Sequence, residues 1–170
     1  ELECIPGELT DHFDPRAKVV RLSEAVYNGR SIASLGIAAH EVGHVIQHAH
    51  GYAPMQLRSV VYPVASIGSN LSIPLIFMGL FFLHMPALVW AGVFLFAAST
   101  FFTVVTLPVE FNASSRALHA LEYGNILEPD EMVGARQVLN AAALIYVAAA
   151  VASVLWLLRY IALANSQNRN

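Results

Sequence analysis

The sequence predicts a mainly α-helical, multi-span membrane protein with a small head that carries a metal-binding helix. Three observations support this fold class. The 170 residues are 56% hydrophobic and 12% charged, which is too apolar for an ordinary soluble domain. The segment from Ser59 to Val109 contains no Asp, Glu, Lys or Arg. Its length is about twice the ~20 residues that cross a bilayer once. The third observation is an H-E-x-x-H motif at residues 40–44.

The first element expected along the chain is a short strand over Lys18–Leu22, which follows the turn-forming sequence "DHFDPR" at residues 11–16. An exposed strand edge beside a metal helix can hold an extended peptide by strand addition. The residues that would then contact the peptide are Val19, Val20 and Arg21. The alternative is a short edge strand or hairpin that only covers the helix.

The second element is a helix of about twenty residues between Ser31, a suitable N-cap, and Gly51, a suitable C-terminal stop. The four-residue spacing places His40 and His44 on one face of this helix, with Glu41 at its edge. In such a motif the two imidazoles bind zinc and the glutamate activates a water molecule. The motif therefore predicts a hydrolytic metal site that still needs a third ligand.

The charge-free run predicts two membrane helices joined near its middle, at His84–Pro86. A third span is expected over Val138–Leu158, because only Asn140 and Ser153 interrupt its apolar sequence. Its helix should begin before the membrane, at residues 128–131, where Pro129 and the two acids after it suit a first helical turn. The predicted parts are a head (1–58 and 110–137), a transmembrane hairpin (59–109), a third transmembrane helix (138–160) and a polar tail (161–170).

Two residues are candidates for the third ligand. His50 has the offset from His40 that a longer three-histidine zinc pattern uses, but Gln47 stands where that pattern has a helix-ending glycine. A continuing helix turns His50 away from the motif, so His50 is expected to form a polar helix end. Glu110 is the first charged residue after the hairpin, where a carboxylate needs a partner or a cation. Two histidines, one glutamate and an open position are an established catalytic zinc arrangement.

Four further side chains are candidates for orienting the ligands or the substrate. Ser114 lies one turn after Glu110 and is expected to support a ligand. Asn112 and Arg116 lie near enough to orient Glu110 or to stabilise an oxyanion, although pairing with nearby acids explains Arg116 as well. His48 follows the motif by one turn and either orients substrate or is a helix-surface histidine.

Two stretches of the sequence, "LTDHFDPRAKVVRLSEAVYNGRSIASLGIAAHEVGHVIQ" and "LPVEFNASSRAL", separated by a two-span hairpin, resemble the neutral zinc metallopeptidases of bacterial membranes, the YugP-like family. The resemblance implies a zincin-like membrane peptidase of the gluzincin type with one Zn²⁺ per chain. It implies His40, His44 and Glu110 as ligands, Glu41 as catalytic base, and a further membrane span upstream. The layout is also similar to that of the membrane-embedded heat-shock metalloproteases, which usually have an Asp where this chain has Ser114.

Composition limits the possible partners. With a net charge of −3 and no basic tract, nothing indicates nucleic acid, and the expected partners are a protein or peptide substrate and the lipid bilayer. The lone Cys4 cannot form an internal disulfide. The main rival is a non-catalytic membrane scaffold with a structural zinc site closed by a fourth side chain. A metal transporter is disfavoured because the spans lack ionisable residues.

The distribution of positive charge predicts the orientation in the membrane. Of the nine Lys and Arg residues, only Arg159 and Arg169 follow the third span. The others are Arg16, Lys18, Arg21, Arg30, Arg58, Arg116 and Arg136. Positively charged segments near spans tend to stay in the cytoplasm, so the metal motif is expected to face the cytoplasm and the C-terminus to lie outside.

Overall fold

A computed structural model describes residues 1–167 of the chain. The strands are β1 (Leu2–Ile5), β2 (His12–Asp14) and β3 (Val19–Ser23), and the helices are α1 (Glu24–Tyr27), α2 (Ile32–Ala49), α3 (Ala53–Phe77), α4 (Pro86–Tyr123) and α5 (Pro129–Gln167). Three helical segments are long and apolar enough to cross a membrane, namely Ala53–Phe82, Pro86–Tyr123 and Pro129–Ser166. The predicted fold class, mainly helical and multi-span with a small strand component, is confirmed.

The hairpin turn forms where the sequence predicts it. Helix α3 continues into a π-helical turn at Met78–Phe82, and α4 begins at Pro86, whose fixed φ suits a first helical position. Between them the chain reverses at His84, which has a positive φ of 50°. The break in the apolar run therefore lies at the predicted turn residues.

Helix α5 also starts as the sequence predicts. The Glu131 carboxylate accepts a hydrogen bond from the Glu128 backbone N–H at 3.0 Å, which satisfies one of the donors that precede a helix. Proline follows at the first helical position, Pro129. The helix continues through Gln167, so residues 161–167 of the predicted polar tail are helical, and residues 168–170 lie outside the described part of the chain.

The chain divides into two compact units. The first contains Glu1–Met55 and Pro108–Ile145, and the second contains Gln56–Leu107 and the residues from Tyr146 onward. Helices α4 and α5 contribute residues to both units. Because the metal motif and Glu110 both belong to the first unit, the geometry of the candidate site can be described within that unit alone.

In the first unit, α2 packs closely against the second part of α4. The buried core consists of Ala39, Ala117, Leu121, Ala135 and Leu139. Gly43 lies directly against the backbone of Ala113, and a methyl group at that position would overlap the Ala113 carbonyl oxygen. The glycine inside the H-E-x-x-H motif therefore permits the close approach that brings α4 next to the two histidines.

The three strands form one sheet in the order β1-β3-β2, with β1 parallel and β2 antiparallel to β3. The prediction that the 18–22 segment offers a free edge is wrong, because β3 is the central strand and has a partner on each side. Val19 and Val20 are buried, and Arg21 is held by Glu3 at 2.9 Å and Asp14 at 2.7 Å. The hairpin alternative is present as β2 and β3, and the edge strands are β1 and β2.

The second unit is held together by close helix contacts and apolar side chains. Gly68 of α3 lies against the Leu95 backbone of α4, and a methyl group there would overlap the Leu95 carbonyl oxygen. A buried cluster is formed by Ile76, Val89, Val93 and Ala164. Many large apolar side chains of this unit remain exposed, as expected for a surface that contacts lipid.

Candidate metal centre

Both ends of α2 are fixed by local capping. At the start, the Ser31 side chain accepts a hydrogen bond from the Ser34 backbone N–H at 3.1 Å. At the end, Gly51 has a φ of 62° and donates to the His48 carbonyl, and the Tyr52 N–H donates to the Gln47 carbonyl. The helix therefore keeps its register through both motif histidines and ends at Ala49, with His50 as the C-cap residue.

Because α2 ends in this way, His50 does not belong to the candidate metal site. His50 is the C-cap residue, and its Nδ1 donates to the Ile46 carbonyl oxygen at 2.8 Å, because a carbonyl can only accept. Its side chain is exposed, and its hydrogen bond satisfies a backbone carbonyl at the end of the helix. Within residues 1–167, the group of side chains suited to hold a metal ion consists of His40, His44 and Glu110.

The three candidate ligands meet at the contact between α2 and α4. Their ligand atoms all lie within 4.8 Å of one another. Glu110 Oε2 is 3.1 Å from His40 Nε2 and 3.6 Å from His44 Nε2. Ligand atoms about 2.1 Å from a tetrahedral zinc ion lie ~3.4 Å apart, so these distances fit a zinc ion. Two imidazoles and one carboxylate are also a donor set that zinc prefers.

Glu41 lies beside these ligands in a buried position, with 7% of its surface exposed. Burial raises the pKa of its carboxyl, while the nearby His44 and His40 partly oppose the shift. The backbone N–H of Phe13 in β2 lies close enough to this carboxyl to act against the shift and lower its pKa. The edge strand of the sheet therefore reaches the glutamate of the motif.

The pKa of His44 is also shifted. Burial acts to lower this pKa, but the hydrogen bond and the negative charge of Glu110, with a further contribution from Glu41, raise it overall. A cation among the three ligands would favour the neutral imidazole instead, since ligation requires the free nitrogen. Protons and a metal ion therefore compete for the same nitrogen.

The two candidate ligand histidines, His40 and His44, each place Nε2 near Glu110 and have a hydrogen-bond partner on the other ring nitrogen, Nδ1. His40 Nδ1 lies 3.1 Å from the Ser114 hydroxyl, which comes from α4 one turn beyond Glu110. His44 Nδ1 lies 3.0 Å from Gln47 Oε1. Such partners orient a ligand ring and fix which nitrogen faces the metal.

The other predicted site residues, Asn112, Arg116 and His48, lie on α2 and α4 and contact neighbouring side chains. Asn112 Oδ1 accepts hydrogen bonds from Gln47 Nε2 at 3.0 Å and from Arg116 Nε at 2.8 Å. The Arg116 guanidinium also lies over the Tyr52 ring, 5.9 Å from its centre. His48 is exposed, and its ring centre is 5.6 Å from that of Phe13.

Sequence reasoning missed Gln47 and Phe13 as parts of the site. The sequence pattern predicts for Gln47 only that it continues the helix, yet its side chain is fully buried. A polar residue three positions after a ligand histidine, on the same side of the helix, was the available signal. The Phe13 contact is made by backbone, so no side-chain pattern indicates it.

The fold and the site together combine three helices that are long and apolar enough to cross a membrane with two histidines and one glutamate that could hold a metal ion. The chain matches the model of the family described as "Putative neutral zinc metallopeptidase" over residues 1–165, and it belongs to that family. It is also similar to the "Putative membrane protease YugP" of Bacillus subtilis (strain 168), with 47% identity over 160 residues, covering 94% of this chain and 71% of the relative. No solved structure matches the chain significantly.

Proposed function

We propose that the protein is a membrane-embedded zinc endopeptidase that hydrolyses peptide bonds of protein substrates. The observation that carries the proposal is the convergence of His40, His44 and Glu110 beside the buried Glu41. In the described part of the chain this group contains three ligand residues, which leaves one position of a tetrahedral zinc ion for water or substrate. A structural site normally has four protein ligands.

The side chains divide the work of hydrolysis between them. His40, His44 and Glu110 would hold one zinc ion per chain, and a bound zinc ion would supply the Lewis acidity that polarises a carbonyl and makes a water molecule more acidic. Glu41 accepts the proton of the attacking water and returns it to the leaving amine. A carboxyl pKa raised by burial suits a group that must both take and release a proton near neutral pH.

The edge of β2 is the part of the sheet to which an extended substrate would add. β2 is an edge strand, and the backbone of its Phe13 lies near Glu41. A peptide aligned with this edge would pass close to the catalytic glutamate and the metal ligands. The substrate-binding role considered for the 18–22 segment therefore moves to residues 12–14.

The test of the function is Glu41→Gln in the full-length protein, reconstituted in lipid vesicles and supplied with a quenched fluorescent peptide library. Removing the base while keeping the side-chain size should lower hydrolysis by about 10²–10⁴-fold and leave zinc content unchanged. Glu122→Gln, at an exposed position of α4, is the matched control and should cleave as the wild type does. Wild-type cleavage by Glu41→Gln contradicts the assignment of the base. Lack of hydrolysis in every form, with zinc bound, favours the structural-zinc scaffold.

We also propose that the active site faces the cytoplasm, on the charge distribution given above. Cys4 is exposed in the first unit and can serve as a natural probe. On intact cells an impermeant thiol reagent should leave Cys4 unlabelled, while a Ser166→Cys variant that lacks Cys4 should be labelled. The opposite pattern would reverse the orientation, and labelling of Cys4 after permeabilisation controls for its reactivity.

A further inference from the structure

The side chain of Gln47 is fully buried between α2 and α4 and makes three hydrogen bonds. Its Oε1 lies 3.0 Å from His44 Nδ1, and its Nε2 lies 2.7 Å from the Val109 carbonyl oxygen and 3.0 Å from Asn112 Oδ1. Val109 directly precedes Glu110 in the chain. One amide group therefore contacts a ligand histidine and the backbone beside the ligand glutamate.

The direction of every bond in this network follows from donors and acceptors that cannot exchange roles. Arg116 can only donate, so the atom of Asn112 that faces it must be the oxygen. The Val109 carbonyl can only accept, so the atom of Gln47 that faces it must be the nitrogen. The same nitrogen faces the Asn112 oxygen, and both assignments agree. The Gln47 oxygen must therefore face His44.

A carbonyl oxygen cannot donate, so His44 Nδ1 must carry the proton in this hydrogen bond. The lone pair of the neutral ring is then on Nε2, the nitrogen that lies 3.6 Å from Glu110 Oε2. His40 differs, because its partner is the Ser114 hydroxyl, which can donate or accept. Of the two candidate ligand histidines, only His44 has its tautomer fixed by the identity of its partner.

We propose that Gln47 is a positioning residue that fixes the His44 tautomer for metal binding through Nε2, with Asn112 and Arg116 fixing the orientation of the Gln47 amide. This inference deepens the proposed function and rests on the metal site described there. Gln47 itself touches neither metal nor substrate. Its effect is on the affinity and geometry of the metal site, since partners of this kind typically change metal affinity by about 10–100-fold.

The experiment measures zinc affinity of the full-length protein in detergent by competition with a chelator, using zinc alone and no substrate. Gln47→Met keeps the volume and removes the acceptor, and zinc should bind about 10–100-fold more weakly. Gln47→Glu keeps an acceptor for the Nδ1 proton but loses the amide donor to Val109 and Asn112, so its affinity should stay within about threefold of the wild-type value. The cobalt-substituted Gln47→Met protein should also show an altered visible absorption spectrum.

Thermal stability of the metal-free variants separates positioning from a structural link between the helices. Both variants lose the amide donor, so both should melt at a lower temperature, while only Gln47→Met should lose zinc affinity. Equal loss of zinc affinity in the two variants would show that Gln47 only ties the helices together, which overturns the proposal. Wild-type affinity in Gln47→Met overturns it as well.

A measurement on the unmodified protein keeps the test independent of variant folding. Nitrogen-15 NMR of the zinc-loaded protein, with His44 assigned by a His44→Gln variant, should place the metal on Nε2 and the proton on Nδ1. Metal on Nδ1 overturns the inference. If zinc affinities rank as expected while the wild type hydrolyses no peptide, the positioning role stands and the proposed peptidase function fails.

Discussion

The two parts of α4 differ in how their polar side chains are satisfied. In the second unit, the hydroxyls of Thr100, Thr103 and Thr106 donate to carbonyls three or four residues earlier in the same helix. In the first unit, Glu110 and Ser114 instead contact His40 of α2, which lies 70 and 74 residues away in the chain. The difference follows from the side-chain chemistry.

A hydroxyl can satisfy its hydrogen-bonding needs within its own helix, because it can donate to a backbone carbonyl that has a spare lone pair. A carboxylate has no proton to donate, and the helix interior offers it no free N–H groups. Glu110, which is 2% exposed, therefore depends on a second element to make its burial tolerable. The apolar part of α4 is close to self-sufficient, while the polar part requires the α2 contact.

The largest expected effect is on zinc binding and comes from removing the Glu110 carboxylate. Glu110→Ala should weaken zinc binding by more than about 100-fold, because a ligand is lost rather than a supporting group. Thr106→Ala, at a buried position in the other part of α4, should bind zinc like the wild type. Zinc content of the purified proteins provides the measurement.

The same measurement on His50→Ala tests the alternative three-histidine site. His50 bonds only to the end of its own helix among the contacts described, so its loss should leave zinc content unchanged. Strong zinc loss in His50→Ala together with retention in Glu110→Ala would contradict the ligand set.

An intermediate effect is expected at the glycines that permit close helix approach. Gly43→Ala should destabilise the protein by about 1–3 kcal/mol, since the added methyl meets the rigid Ala113 backbone. Gly68→Ala, which meets the Leu95 backbone, should show a similar loss, so this property is common to both units.

Gly36 of α2 is the matched control for Gly43. A methyl group there has only the Val138 side chain within 4.0 Å, and alanine favours a helix interior by up to about 1 kcal/mol. Gly36→Ala should therefore leave stability unchanged or raise it slightly. Thermal unfolding in detergent compares the three variants, and equal losses at Gly36 and Gly43 would show that helix approach is not the cause.

The smallest expected effect is at Ser153, whose hydroxyl donates to Thr100 Oγ1 at 2.9 Å and joins α5 to α4 within the second unit. Ser153→Ala should lower the free energy of unfolding by about 0.6 kcal/mol, the average contribution of such hydrogen bonds between membrane helices. A loss above about 2 kcal/mol would mean that the second unit depends on side-chain polar contacts as strongly as the first.

Much of the fold could be predicted because it is encoded locally. The Ser31 cap, the Gly51 stop, the hairpin turn at His84–Pro86 and the helix start at Pro129 all depend on residues within one or two helical turns. Strand order could not be predicted, because both partners of β3 come from earlier, separate segments of the chain. The local sequence "KVVRL" indicates a strand and contains no information about its neighbours.

The sequence by itself determined the chemistry available at the site. Helical periodicity brings His40 and His44 to one face with Glu41 beside them, and the charge-free run from Ser59 to Val109 determines that this segment is suited to lipid. Only the tertiary structure decided that Glu110 joins them and that Gln47 faces His44 from a fixed direction. Those contacts depend on how closely two helices approach, which Gly43 allows and no periodic pattern along a single helix specifies.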